Sequence, residues 1–342
     1  MPPRDTPAPV PPTRPAKLKA WFLLFRPWSY SATLVPFLVA AGFGRHGPCD
    51  WPHWAFGLLS GLLFQATVNL LNTWGDERSG VDGAPGAIRT TPQVHDGLVS
   101  MRALLAAAET CAALAALLGV ALCLYTKDGA LRFNTPLLVA GFIGFLGATN
   151  YSTGFRFKYR GLGVPFVSFL MGPLETFVAF ALLDPSFPLF VLALRRNLPL
   201  LGLFLAGFLL LTLPIAALVG VVMHGNDMRD IASDRAAGIT TLASRLGPKG
   251  ALAYYRICHV LPYCVSPCLW LLYQNSDVAD SARCLLLPLL ALPLSIRTMV
   301  IATRVYRSNP ANPPWRRLER DSGSVLLLYG ILYALSFALL GK

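Results

Sequence analysis

An all-α bundle of about nine membrane-crossing helices is the fold class this chain predicts, and three observations carry it. Of its 342 residues, 54% are hydrophobic and 13% charged, with a mean hydropathy of +0.53, a balance suited to lipid more than to water. The apolar residues fall into nine runs, most of the roughly 20 residues that a helix needs to cross a bilayer. The basic residues behind the net charge of +12 sit in short loops between those runs. That is a topology pattern and argues against a nucleic-acid partner.

Taken in order, residues 1–16 hold seven prolines among small and polar residues. Residues 1–20 are therefore expected to form a disordered tail ahead of one membrane domain, 21–342. Trp21, Phe22, Phe25 and Trp28 suit a membrane interface. The apolar runs then cover 28–43, 54–74, 101–125, 135–151, 162–183, 199–223, 251–274, 284–303 and 322–341. Prolines inside them, such as Pro36, Pro173 and Pro214, are tolerated where neighbouring helices satisfy the freed backbone groups. The seven cysteines include no CxxC pair and mostly lie within apolar runs, so they read as small hydrophobes, with no disulfide framework or zinc site.

Nineteen of the 29 Lys and Arg residues lie in the tail and in loops 75–100, 152–161, 225–250 and 304–321, against seven in the loops and end on the other side. The positive-inside rule places the N-terminus and these four loops in the cytoplasm, at the inner membrane if the source is bacterial.

Two of the cytoplasmic stretches concentrate acid. Six of the chain's 17 Asp and Glu residues are Asp76, Glu77, Asp82, Asp227, Asp230 and Asp234. On a helix, the i, i+3, i+7 spacing of Asp227, Asp230 and Asp234 puts them on one face. A second polar stripe, Gln65, Asn69, Asn72 and Asp76, continues to Asp82, with Gly80 expected to break the helix between them. A polar stripe on a membrane helix also serves helix packing, and charged loops also pair internally, as Arg229 and Arg235 could with Asp230 and Asp234. The density of carboxylates near low dielectric favours a bound divalent cation, for which oxygen donors suit magnesium, and a diphosphate beside it. Lys158, with Arg156 in the same loop and Arg89 in the loop after Asp82, is then a candidate to neutralise a leaving diphosphate. Glu175 stands alone inside the fifth apolar run, where an acid is either a helix-pairing device or a functional group.

Four segments carry a family resemblance: Asn72-Thr73-x-x-Asp76-x-x-x-Gly80-x-Asp82, Asn226-Asp227-x-x-Asp230-x-x-x-Asp234-x-x-x-Gly238-x-x-Thr241-Leu242, Arg26-Pro27-Trp28-Ser29-Tyr30-Ser31-Ala32, and Phe157-Lys158-Tyr159. Together they resemble the UbiA family of intramembrane prenyltransferases, and most resemble its branch that prenylates 1,4-dihydroxy-2-naphthoate on the way to menaquinone. The resemblance implies a nine-helix bundle with a cavity open to the cytoplasm and laterally to lipid. It implies two magnesium ions held by Asn72, Asp76 and Asp82 and by Asn226, Asp230 and Asp234, with Asp227 a further metal ligand. It implies a polyprenyl diphosphate and an aromatic acceptor as substrates, with Asp76, Asp230 and Lys158 in catalysis and Asn69, Arg89, Arg156, Arg229 and Glu175 near substrate. Two positions depart from that branch: Leu162-Gly163-Val164 lacks the usual acid, and Glu175 replaces a small or apolar residue. An ionised Glu175 facing the pocket would repel a naphthoate carboxylate. The same motifs also fit a membrane terpene cyclase that needs no acceptor, whereas a cation transporter, the reading from another class, predicts no diphosphate release.

Overall fold

The computed structural model describes residues 14–44, 49–79, 92–95, 97–127, 130–152, 154–236, 238–315 and 317–341. The first helix, α1 (Arg14–Phe25), begins inside the segment that composition assigned to the tail. Its Lys17, Leu18, Lys19 and Phe22 alternate charge with apolar bulk, and Ala20 and Leu24 turn inward and are buried. A 3-10 turn, Pro27–Tyr30, leads into α2 (Ser31–Gly44).

All nine apolar runs become helices. After α2 come α3 (Trp51–Ser79), α4 (Met101–Leu122), α5 (Thr135–Ser152) and α6 (Gly163–Leu183). A short α7 (Phe187–Leu194) precedes α8 (Leu198–Arg229) and α9 (Ile231–Ala236). The bundle finishes with α10 (Leu242–Tyr273), α11 (Ala282–Ser308, opening as a 3-10 helix) and α12 (Leu318–Leu339). Among the described residues, seven helical stretches are long and apolar enough to cross a membrane. Two connections hold structure outside the nine runs, namely α7 and an antiparallel hairpin of β1 (Leu124–Lys127) with β2 (Ala130–Phe133).

Helix ends are fixed by ordinary capping chemistry. Ser100 accepts from the Ala103 amide at the start of α4 and Asn197 from the Leu200 amide at the start of α8. Thr241 and Ser244 form a reciprocal capping box on α10. The bundle closes where α12 packs along α2 and α8. Small residues allow that approach: a Cβ on Gly42 would sit 2.3 Å from the Ala334 carbonyl oxygen, and one on Gly330 would sit 2.2 Å from Val35 Cγ2. In lipid, where apolar burial gives helices little drive to associate, such close packing supplies much of the cohesion.

Around this contact Val35, Val39, Ile215, Leu218, Val325, Leu326, Tyr329 and Phe337 form the largest buried cluster. Two of its buried tyrosine hydroxyls find backbone partners. Tyr329 donates to the Pro262 carbonyl at 3.0 Å, and Tyr333 donates to the Leu211 carbonyl at 3.0 Å. This half of the bundle is tightly packed. The other half, between α3, α5 and α6, encloses a cavity of about 450 Å³.

Candidate active site

The cavity has a polar mouth and an apolar body. Arg26, Ser29, Asn69, Asn72, Asn226 and Glu319 line the mouth, while Phe64, Phe145, Leu170, Val178 and Leu182 line the body. The mouth lies at the C-terminal ends of α3 and α8, so the two acidic stretches meet at one end of the bundle.

On α3, Asn72 and Asp76 are one turn apart and converge on a single cationic group. The Lys158 ammonium donates to Asn72 Oδ1 at 3.1 Å and to both Asp76 oxygens at 2.7 and 2.9 Å. Tyr159 Oη donates to Asp76 Oδ1 at 3.0 Å. Burial alone would lower the Lys158 pKa, but Asp76 outweighs it and the group is held above its ordinary value. Lys158 reaches this place because its 3-10 turn, Phe157–Tyr159, is tied down: Arg160 bridges to Thr240, and Arg245 donates to the Arg160 carbonyl at 3.0 Å.

The second stretch repeats the arrangement on α8. Asn226 and Asp230, again four residues apart, both accept from the Arg229 guanidinium, Asp230 at 2.7 Å through each oxygen. Arg229 also donates to Glu319 at 3.5 Å, and Glu319 accepts from Trp28 Nε1 at 2.9 Å. The Arg320 guanidinium lies 4.2 Å above the Trp28 ring. The site is therefore buttressed by the first and last parts of the chain.

The expected single acidic helix face over 227–234 is not present. Helix α8 stops at Arg229, Asp230 takes φ −100° and ψ 7°, and α9 starts afresh at Ile231. The break leaves Asp230 on Arg229 and sends Asp234 to the Thr241 hydroxyl, which donates to it at 3.0 Å. Burial, and next the charge of Asp230, push the Asp234 carboxyl up to about 7; Lys158 pulls it down and Asp76 adds to the rise. Groups from the first stretch thus lie within electrostatic reach of the second. Asp227 is buried within reach of both stretches, next to Asp230 and Asp234.

Other sequence candidates fall into place less directly. Asn69 is buried and donates to the Phe25 carbonyl at 2.8 Å and to Ser29 Oγ at 2.9 Å, so it anchors the N-terminal turn as well as lining the mouth. Arg156 is exposed in left-handed backbone (φ 55°) and does not line the cavity. Glu175 lines the apolar body, well away from the mouth. Asp82 and Arg89 lie outside the described residues. Sequence reasoning noted Arg26 only within a motif, without a place in the site, and missed Tyr151 and Glu319. Arg26 is buried in left-handed backbone (φ 50°), and the buried Tyr151 hydroxyl has no hydrogen-bond partner. Tyr151 ends an apolar run and Glu319 stands in a charged loop, so neither carries a local signal.

The donors suit a hard cation. Each Asn/Asp pair already cradles one positive charge, with an ammonium or guanidinium where a metal would sit, and amide and carboxylate oxygens are the donors magnesium selects. Among the described residues no three His, Cys, Asp or Glu side chains gather closely enough to hold an ion by themselves, because Asp76 and Asp230 each turn onto a cationic partner. Asn72, Asn226 and incoming phosphate oxygens would therefore have to complete any metal shell.

The family model described as the UbiA prenyltransferase family matches residues 33–320. The chain belongs to the UbiA prenyltransferase family. Membership makes it a prenyltransferase-class membrane enzyme. The human UbiA prenyltransferase domain-containing protein 1 is 28% identical over 334 residues, covering 94% of this chain and 84% of the relative. The Drosophila melanogaster homolog is 27% identical over 332 residues, covering 94% and 79%. Their names give the family and no acceptor. Among solved structures, a UbiA homolog from Archaeoglobus fulgidus bound to GPP and Mg2+ has a TM-score of 0.57 at 16% identity, covering 93% of this chain and 99% of that one. The same homolog bound to DMAPP and Mg2+ also has a TM-score of 0.57, at 14% identity, covering 93% and 98%. This likeness establishes the UbiA fold for the bundle.

Proposed function

We propose that this UbiA-family chain transfers a polyprenyl group, with magnesium, from an allylic diphosphate to an aromatic acceptor, 1,4-dihydroxy-2-naphthoate or a related quinone precursor, in menaquinone-type biosynthesis. The observation that carries the reading is the pair of Asn/Asp sets on α3 and α8, each converging on one positive charge at the mouth of an apolar cavity. The Archaeoglobus fulgidus homolog solved with GPP and Mg2+ and with DMAPP and Mg2+ supports it. Asn72, Asp76, Asn226, Asp230 and Asp234 would hold the magnesium. Bound magnesium supplies positive charge to the diphosphate oxygens.

The chain's own residues do the rest. Lys158, buried, and Arg229, partly buried, both beside the donors, stabilise the diphosphate as the allylic C–O bond breaks and its electron pair stays on oxygen. An electron-rich ring carbon of the acceptor then bonds to the allylic carbon, and loss of the ring proton restores aromaticity. The apolar body receives the prenyl chain and keeps water from quenching the cation. The N-terminus and the site face the cytoplasm in this reading.

The test is purified protein in nanodiscs with magnesium, a prenyl diphosphate and dihydroxynaphthoate, analysed by mass spectrometry. A prenylated naphthoate that forms only when all three are present is expected, and chelation should abolish it. A cyclic hydrocarbon made without acceptor would replace the transferase reading with a terpene cyclase of the same fold. Intact diphosphate under every condition would overturn both.

A further inference from the structure

The outer surface of α10 and α11 carries charge where hydrocarbon is expected. The two helices pack antiparallel: Arg256 of α10 donates to the Thr303 hydroxyl of α11, and Tyr263, two turns further on, donates to Ser295 at 3.0 Å. The mouth is at the end where α10 starts and α11 finishes, since Thr241 holds Asp234 and Glu319 follows α11. Neither the 32 residues of α10 nor the 27 of α11 include an Asp or Glu. They hold seven Lys and Arg, and all but Arg283 lie in the half nearest the mouth.

Two of these arginines stand inside apolar runs. Arg256 lies five residues into run 251–274, and Arg297 lies six residues short of Thr303, where run 284–303 ends; at 1.5 Å per residue these depths are about 8 and 9 Å. Both are exposed. So are the apolar side chains around them, Ile257 and Val260 on α10 and Ile296 and Val300 on α11, so this surface meets acyl chains and not water. Arg256 is pinned by Thr303, whereas Arg297 has no hydrogen bond or ion pair among the described residues. A guanidinium in lipid without a counter-charge is costly, and ionisable residues at such depth mark functional positions.

A group that satisfies these charges must be anionic at one end and apolar at the other. We infer that the seam between α10 and α11 binds an anionic phospholipid of the leaflet on the mouth side, its phosphate held by Arg256 and Arg297 and its acyl chains lying along the exposed apolar side chains. The guanidinium fork matches phosphate oxygens, and basic surfaces between membrane helices suit acidic head groups. Arg304, two turns from Arg297 on the same face and also exposed, carries the charge up to head-group level. Snorkelling alone would serve any phospholipid equally. Two helices without an acid add net positive charge, and a lipid of net negative charge neutralises it. Lipid selection here is separate from the chemistry at the mouth.

The experiment titrates the full chain in detergent with phosphatidylglycerol and phosphatidylcholine of the same acyl chains and reads bound lipid by native mass spectrometry. The wild type should bind its first phosphatidylglycerol about tenfold more tightly than its first phosphatidylcholine. Arg256→Gln and Arg297→Gln should each cut that preference about fivefold. Arg256→Lys and Arg297→Lys, which keep the charge, should largely hold it, and Arg283→Gln, at the far end of α11, should leave it unchanged. A second measurement needs no variant: phosphatidylglycerol with a diazirine near its head group should label the wild type within residues 256–264 or 293–304. No preference in the wild type, an equal loss in Arg283→Gln, or labelling confined to other helices would overturn the site.

Discussion

Replacing Lys158 with methionine tests the site through stability and chemistry together. The ammonium is buried, with side-chain exposure of 7% against 11% for its partner Asp76. Removing one member of a buried ion pair leaves the other charge uncompensated, typically at about 3–5 kcal/mol. Asp76 keeps the Tyr159 hydroxyl, which argues for the lower end, about 3 kcal/mol. For a chain of 342 residues that corresponds to a fall in Tm of roughly 4 °C. The assay is thermal unfolding in detergent with chelator present, followed by a thiol-reactive dye that reports exposure of the buried Cys123 and Cys258. Magnesium should recover much of the lost stability, because a cation on Asn72 and Asp76 replaces the missing ammonium. Turnover with magnesium should still fall on the order of a hundredfold, since a preorganised donor to the leaving diphosphate is gone. An unchanged Tm in chelator together with turnover within twofold of wild type would refute the assignment.

Three further outcomes follow from the same geometry. Asp230→Ala should abolish turnover while the protein still extracts as a folded monodisperse species; substantial residual turnover would remove Asp230 from the donors. Asp234→Asn should raise the Tm at pH 8 in chelator by an amount equivalent to about 1 kcal/mol or more, and should lose turnover. A carboxyl whose pKa rises on folding, here from 3.8 to about 7, supports the fold below its unfolded value and withdraws that support as pH climbs through its folded value. The gain from Asp234→Asn should therefore vanish below about pH 4, and a pH-independent gain would contradict the cause given. Gly42→Leu should destabilise the bundle by at least about 1–3 kcal/mol, because its side chain would enter the Ala334 backbone; wild-type thermal stability would show that α2 and α12 do not pack as described.

Much of this protein was determined by sequence alone, because lipid imposes its rules locally. A helix must be long and apolar to cross a bilayer and must satisfy its own backbone, so each of the nine runs became a helix without reference to its neighbours. The Asn-x-x-x-Asp spacing was equally local: i and i+4 share a face, and Asn72/Asp76 and Asn226/Asp230 do converge. Where a reading depended on a helix continuing, it failed. The break at Asp230 separates Asp234 from the face it shares on paper, since the first break in a helix ends its periodicity.

Tertiary structure alone decided which charges neutralise which acids. Lys158 meets Asp76 across 82 positions of chain, and Glu319 reaches Trp28 across 291; no spacing rule spans such separations. It also decided that Glu175 lines the apolar body of the cavity and not its mouth. An acid in an apolar run is visible in the sequence, but its depth along the cavity is set by which residue of α3 it faces, and that is fixed only when the helices pack.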